Sequence, residues 1–151
     1  MILDGDLTFT GPIITNSATR VACADTAVKD AGAAIFLFGS YRQASLRYTA
    51  TFGATTATAD TLHLELIGSA SETLSLAAAY EVLASTGVRN IDDNGTLLVA
   101  GAGSTIRGSV PIKPQKHAWQ YYGLVGTLAG ADSDVSAVTG YVVLGPQTNM
   151  A

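Results

Sequence analysis

Cysteine, charge and the strong helix formers are all scarce in this chain, and each shortage excludes something. Cys23 is the single cysteine in 151 residues, so no internal disulfide and no four-cysteine zinc site exist. The redox compartment is left open. Charged residues make up 13% of the chain, and the eight Lys and Arg are scattered along it. A groove that tracks nucleic-acid phosphates needs clustered cations. With a formal net charge of -4, no direct nucleic-acid partner is expected. No apolar run reaches the roughly 18 residues of a membrane-crossing helix, so no membrane partner is expected either. The opening MILDGDLTF carries acids where a secretory signal would carry Lys or Arg, and no such signal is expected.

Glutamate and lysine occur three times each. A soluble helical bundle fills its outer faces with such residues, which lose little entropy in a helix. Here 24 alanines, 18 threonines and 16 glycines take their place. Threonine is branched at Cβ and suits a pleated surface. The composition therefore predicts short strands and Gly-rich turns. The hydrophobic class is 48% and the mean hydropathy is +0.31, which excludes a disordered chain as the dominant state. A surface this short of charge suggests partial cover by neighbouring subunits.

Alternation marks the strands. Leu46, Tyr48, Ala50 and Phe52 alternate with Arg47, Thr49 and Thr51, the pattern of a half-buried strand. In Thr61–Ile67, Leu62, Leu64 and Leu66 oppose His63, Glu65 and Ile67. Ala33–Phe38 and Thr96–Ala100 are compact apolar runs that suit buried strands. Ala118–Thr127 places Trp119, Tyr121, Gly123 and Val125 on one face, with Gln120, Tyr122, Leu124 and Gly126 on the other. Asp134–Leu144 reads as the last strand. Leu74–Leu83 fits a helical and a strand period equally. Gly11–Pro12, Asp25–Gly32, Gly53–Asp60, Gly68–Ser71, Ser85–Gly95 and Leu128–Ser133 read as breaks, turns or loops. Val110–Pro114 carries Pro111 and Pro114; proline cannot donate to a ladder, so this is an edge, a bulge or an extended arm.

About eight antiparallel strands without strand–helix alternation predict an all-β fold: a two-sheet sandwich or jelly roll, or a barrel. The expected organisation is an N-terminal arm or edge segment at residues 1–12, one β-sandwich domain at 13–145 and a polar tail at 146–151.

No arrangement of residues carries visible chemistry. The histidines are His63 and His117; a triad needs one of them beside a nucleophile and an orienting carboxylate, and a His63–Glu65 pair on one strand is ordinary surface chemistry. Cys23 reads as a small buried hydrophobe. Asp92, Asp93 and Asn94 lack the following glutamate of a calcium loop. Asp132 and Asp134 suit capping of nearby amides. Gly101–Thr105 is Gly-rich but has no lysine at the phosphate-loop position. No catalytic residue, metal or cofactor is expected. Trp119, Tyr121 and Tyr122, preceded by Lys113, Lys116 and His117, form either a stacking patch or core plus interface. The second use is preferred, with Trp119 and Tyr121 inside and Tyr122 outward.

Four segments carry a resemblance to a known family: MILDGDLTFT at the start, LHLELIGSASETLS at Leu62–Ser75, LLVAGAGSTIRGSVPI at Leu97–Ile112 and HAWQYYGLVGTLAGADSDVSAVTGYVVLG at His117–Gly145. Together they resemble the capsid cement (decoration) proteins of tailed double-stranded DNA bacteriophages, the Bbp-type cement family. Trp119–Val125 stands at the family's aromatic strand and Ala137–Val143 at its terminal hydrophobic strand. Trp119 departs from the pattern, which more often has arginine there. The resemblance implies a jelly roll or related sandwich that forms a homotrimer on the outer surface of the capsid. It further implies that the subunit bridges major capsid protein subunits and stabilises the shell, without catalysis or cofactor. The expected interface residues are Leu3, Asp4, Leu7 and Phe9 in the N-terminal segment, Pro111 and Pro114 in the proline segment, and Trp119 and Tyr122 in the aromatic strand. The alternative is a carbohydrate- or receptor-binding module of a phage tail or fibre, which requires an exposed aromatic platform at Trp119 or Tyr122.

Overall fold

The computed structural model describes residues 3–13, 21–22, 28–30, 44–52, 61–71, 80–90, 105–114, 119–129 and 135–143. These residues carry ten strands: β1 (Leu3–Ile13), β2 (Val21–Ala22), β3 (Val28–Asp30), β4 (Ser45–Phe52), β5 (Thr61–Ser69), β6 (Tyr80–Ser85), β7 (Arg89–Asn90), β8 (Thr105–Pro111), β9 (Tyr121–Ala129) and β10 (Val135–Val143). Among the described residues there is no helix. The described part of the fold is all-β, and every pairing in it is antiparallel.

The strands form two sheets. The first runs β1-β10-β4-β8. The second runs β2-β9-β5-β6, with β3 following β2 along β9 and β7 beside β6 along β5. Pairing is nested about the middle of the chain. β5 pairs with β6, β4 with β8, β2 and β3 with β9, and β1 with β10. Two further ladders, β10–β4 and β9–β5, bind the nested pairs into sheets.

One core lies between the layers. Leu46, Tyr48, Ala50 and Phe52 of β4 meet Leu62, Leu64 and Leu66 of β5, with Leu124 and Leu128 of β9 and Val138 and Val142 of β10. The alternating pattern of β4 is realised directly: its even-numbered residues are buried and Arg47 is exposed. Gly140 on β10 faces across the core, where an added Cβ would lie 3.0 Å from Leu124 Cδ2. A methyl there would crowd the Leu124 and Leu46 side chains, which would have to give by a few tenths of an ångström.

Two glycines hold aromatic rings. Gly108 on β8 pairs with Tyr48, and the Tyr48 ring occupies the space that a Cβ at Gly108 would take. Gly68 on β5 is covered in the same way by the indole of Trp119. A ring laid over a strand glycine restores packing that the missing side chain forfeits.

Several expected boundaries move. Gly11–Pro12 does not end the first strand, because β1 continues to Ile13 across a register shift between Gly11 and Ile13. The shift accommodates a residue with no N–H to give. Consequently the expected division between residues 12 and 13 falls inside a strand. Asp25–Gly32 contains β3, Ser85–Gly95 contains β7, and β5 and β9 continue to Ser69 and Ala129. Their polar or small residues masked the pairing. β8 begins at Thr105, ahead of the expected edge segment at Val110–Pro114. In β9 the two faces are the reverse of those expected. Tyr122, Leu124 and Leu128 point to the core, and Tyr121 is half-buried. Both faces of that strand are apolar, so alternation alone did not orient it. Ala33–Phe38, Thr96–Ala100 and the tail at 146–151 lie outside the described residues.

Candidate functional site

The outer face of the first sheet is laid out in rows by its register. Tyr141 pairs with Arg47, which pairs with Ser109. Thr139 pairs with Thr49, which pairs with Arg107. Ala137 pairs with Thr51, which pairs with Thr105. Arg47, Thr105, Arg107, Ser109 and Ala137 are exposed, and Thr49, Thr51, Thr139 and Tyr141 are half-buried. Five of these nine side chains, Thr49, Thr51, Thr105, Ser109 and Thr139, are short hydroxyls. β10, β4 and β8 contain no Asp or Glu, and Arg47 and Arg107 are their only charged residues.

Both ends of this sheet are edges. β1 is one edge and β8 the other. Leu3 pairs with Val143, Val143 with Ser45, and Ser45 with Pro111. Leu3 and Pro111 thus stand at opposite ends of one row, roughly 14 Å apart by strand spacing. Between Leu3 and Thr8 the register shifts, since β1 advances to Thr8 while β10 moves only from Val143 to Tyr141. Asp4 and Leu7 lie in this irregular stretch. Proline at the end of an edge strand costs no inner ladder bond, and Pro111 and Pro114 are both exposed.

The second sheet meets the exit of β8. The Ile112 N–H bonds Ala44 C=O at 2.9 Å, and the Lys113 N–H bonds Leu83 C=O at 2.7 Å. Leu83 is the extra residue in a register shift of β6 against β5, so its carbonyl lies free of that ladder to take a donor from the other layer. Nearby, Trp119 Nε1–H donates to Glu81 Oε2 of β6 at 3.0 Å while its ring covers Gly68. Ile112 and Trp119 both pack against the core. Pro111, Pro114 and Trp119 are therefore brought toward one end of the two-layer structure, with Leu3 at the same end of the first sheet.

Phe9 and Tyr122 belong elsewhere. Phe9 is 0% exposed and Tyr122 is 1% exposed, both within the core. Neither offers a ring to a partner in this conformation. The Tyr122 hydroxyl oxygen accepts from the Trp119 N–H at 3.3 Å, so the aromatic pair closes the end of the core. An aromatic platform at Tyr122 is absent, and the Trp119 ring is already laid on Gly68.

His63 brings the nearest approach to catalytic geometry. Its Nε2 is 2.8 Å from Ser85 Oγ and 3.7 Å from Glu65 Oε1. A nucleophilic triad puts the serine and the carboxylate on different ring nitrogens. Here both face the same one, so the contact ties β5 to β6 instead of activating Ser85. Thr86 extends this tie. Its Oγ accepts from Leu64 N–H at 3.0 Å and donates to Gly87 C=O at 2.8 Å. Sequence reasoning paired His63 with Glu65 but missed Ser85, which is 22 residues away and joined only by the β5–β6 register. Among the described residues no three His, Cys, Asp or Glu side chains gather as a metal site. Cys23, Asp92–Asn94, His117, Asp132 and Asp134 lie outside the described residues.

No family model matches the chain, and no curated protein matches it.

Proposed function

We propose that the chain is a structural virion protein of a tailed bacteriophage. In this reading it binds the outer surface of the capsid as a homotrimer and stabilises contacts between major capsid protein subunits. The observation that carries the reading is the nested strand order. Two layers, each four ladder positions wide, with first and last strands paired, support a double-sheet jelly roll, an architecture used by viral capsid domains. Counting β2 with β3, and β6 with β7, as one position each gives eight positions, which supports that reading. Lectins and cupins share the architecture, so fold alone does not select the function. The resemblance of the four sequence segments to capsid cement proteins is what favours the capsid reading. The surface chemistry agrees, since short hydroxyl side chains lose little entropy when a partner orders them. Paired edges in a closed trimer would also cover strands that otherwise invite aggregation.

The test uses shells assembled from the major capsid protein encoded with this chain. Saturable co-sedimentation of the purified protein, and shells that withstand higher temperature when decorated, are expected. Absence of binding to both compact and expanded shells overturns the reading. Light scattering across a dilution series tests the trimer, with a mass near three times 15.4 kDa expected.

A further inference from the structure

Resting on the virion reading, we infer that the outer face of the first sheet is the docking face, and that it takes a protein surface bearing carboxylates, gripped by Arg47 and Arg107. The chain is acidic overall, with twelve Asp and Glu against eight Lys and Arg. Yet three adjacent strands, β10, β4 and β8, carry two arginines and no acid. The two arginines are diagonal neighbours, because Arg47 pairs with Ser109 and Arg107 pairs with Thr49. That geometry holds their backbones roughly 7 Å apart on one face, where like charges repel. Among the residues whose side chains are described, the ion pair is His63–Glu65 and involves neither arginine. A partner carboxylate placed between them converts the repulsion into two attractions, and guanidinium groups bind carboxylates through paired hydrogen bonds.

The surroundings favour a protein over other anions. Two cations are too few to track a polyphosphate backbone. Thr49, Thr51, Thr139 and Ser109 present short hydroxyls, and among the described residues of this face no aromatic ring is fully exposed for a sugar. The face does offer close approach over a broad area, with Tyr141 beside Arg47, and Tyr and Arg are the residue types that anchor protein interfaces. The centre of the second sheet offers no such face: Glu65, Ile67 and Val125 project away from the core and are still buried, at 4%, 2% and 1% exposure.

The test compares wild type with R47E/R107E in shell co-sedimentation at low and high salt. V88E serves as the control, since Val88 is 66% exposed beyond the end of β6. Equal melting temperatures establish that the variants fold. If the double reversal unfolds the chain, R47Q/R107Q replaces it. Binding of the double variant is expected to fall at least ~10-fold, wild-type binding to weaken with salt, and V88E to bind as wild type does. Wild type and the double variant binding alike overturns this inference and leaves the virion reading standing. Wild type failing to bind overturns both. If light scattering shows that the double variant has lost an oligomeric mass held by wild type, the face joins copies of this chain, and the inference is overturned in favour of that contact.

Discussion

The two sheets share one core and differ in what lies behind them. In the first sheet, β4 and β8 alternate cleanly between buried and open positions. In the second, the middle of β5 and of β9 is buried on both faces, while β6 is partly open. A sheet buried on one side needs polar residues on the other, and a sheet buried on both does not. The comparison teaches that the first sheet keeps an open outer face, while the middle of β5 and of β9 is closed on both sides. It also explains how Glu65 is accommodated. Its carboxylate sits within 3.7 Å of the His63 imidazole, and neither side chain is turned fully to water.

Substitutions can break this comparison, starting with the one expected to do most. Ile67→Lys and Thr139→Lys place the same charge on the outer faces of the second and first sheets. The first should cost about 3 kcal/mol or more, because an unpaired charge enters a closed site. The second should stay within about 0.5 kcal/mol. Equal urea midpoints for the two variants would contradict the difference between the faces. Leu124→Ala, which opens a cavity beneath Gly140 where both layers meet, should cost about 3 kcal/mol in thermal or urea unfolding. An effect below 1 kcal/mol would mean that the layers are not packed as described.

Smaller effects sharpen the picture. Gly68→Ala should cost about 1–3 kcal/mol by displacing the indole above it. Trp119 is the one tryptophan in the chain, so its fluorescence reports the displacement as a shift to longer wavelength. An unchanged spectrum would sink the assignment of Trp119 to this position. Ser85→Ala removes the partner of His63 Nε2 and should cost about 1 kcal/mol. If His63→Ala, Ser85→Ala and the double variant are additive, the two side chains do not interact.

The legible parts of the sequence follow from the same contrast. β4 was readable because Arg47, Thr49 and Thr51 mark its open side. β10 was readable for its length and β-branched residues, and β8 in part for its prolines. The faces of β9 were not readable, since Tyr121, Gly123 and Val125 are about as apolar as Tyr122, Leu124 and Leu128. β3 and β7 were hidden because Lys29, Asp30, Arg89 and Asn90 have the composition of turns, and only pairing with β9 and β5 makes them strands. Of the expected contact residues, Leu3, Pro111, Pro114 and Trp119 come toward one end, while Phe9 and Tyr122 went to the core. An aromatic side chain suits an interface or a core equally well by composition. Arg47 and Arg107 are 60 positions apart, and nothing short of the β4–β8 register makes them neighbours.

The pairing of the first strand with the last has a mechanical consequence. Leu3 lies opposite Val143, so tension applied through the chain before Leu3 and after Val143 pulls on the same end of one ladder. Such a load opens hydrogen bonds one at a time, like a zipper. A load carried across the open face of the sheet by a bound partner meets many bonds at once. Pulled by its two ends, the molecule should peel apart at low force; strained through that face, it should behave as a stiff plate.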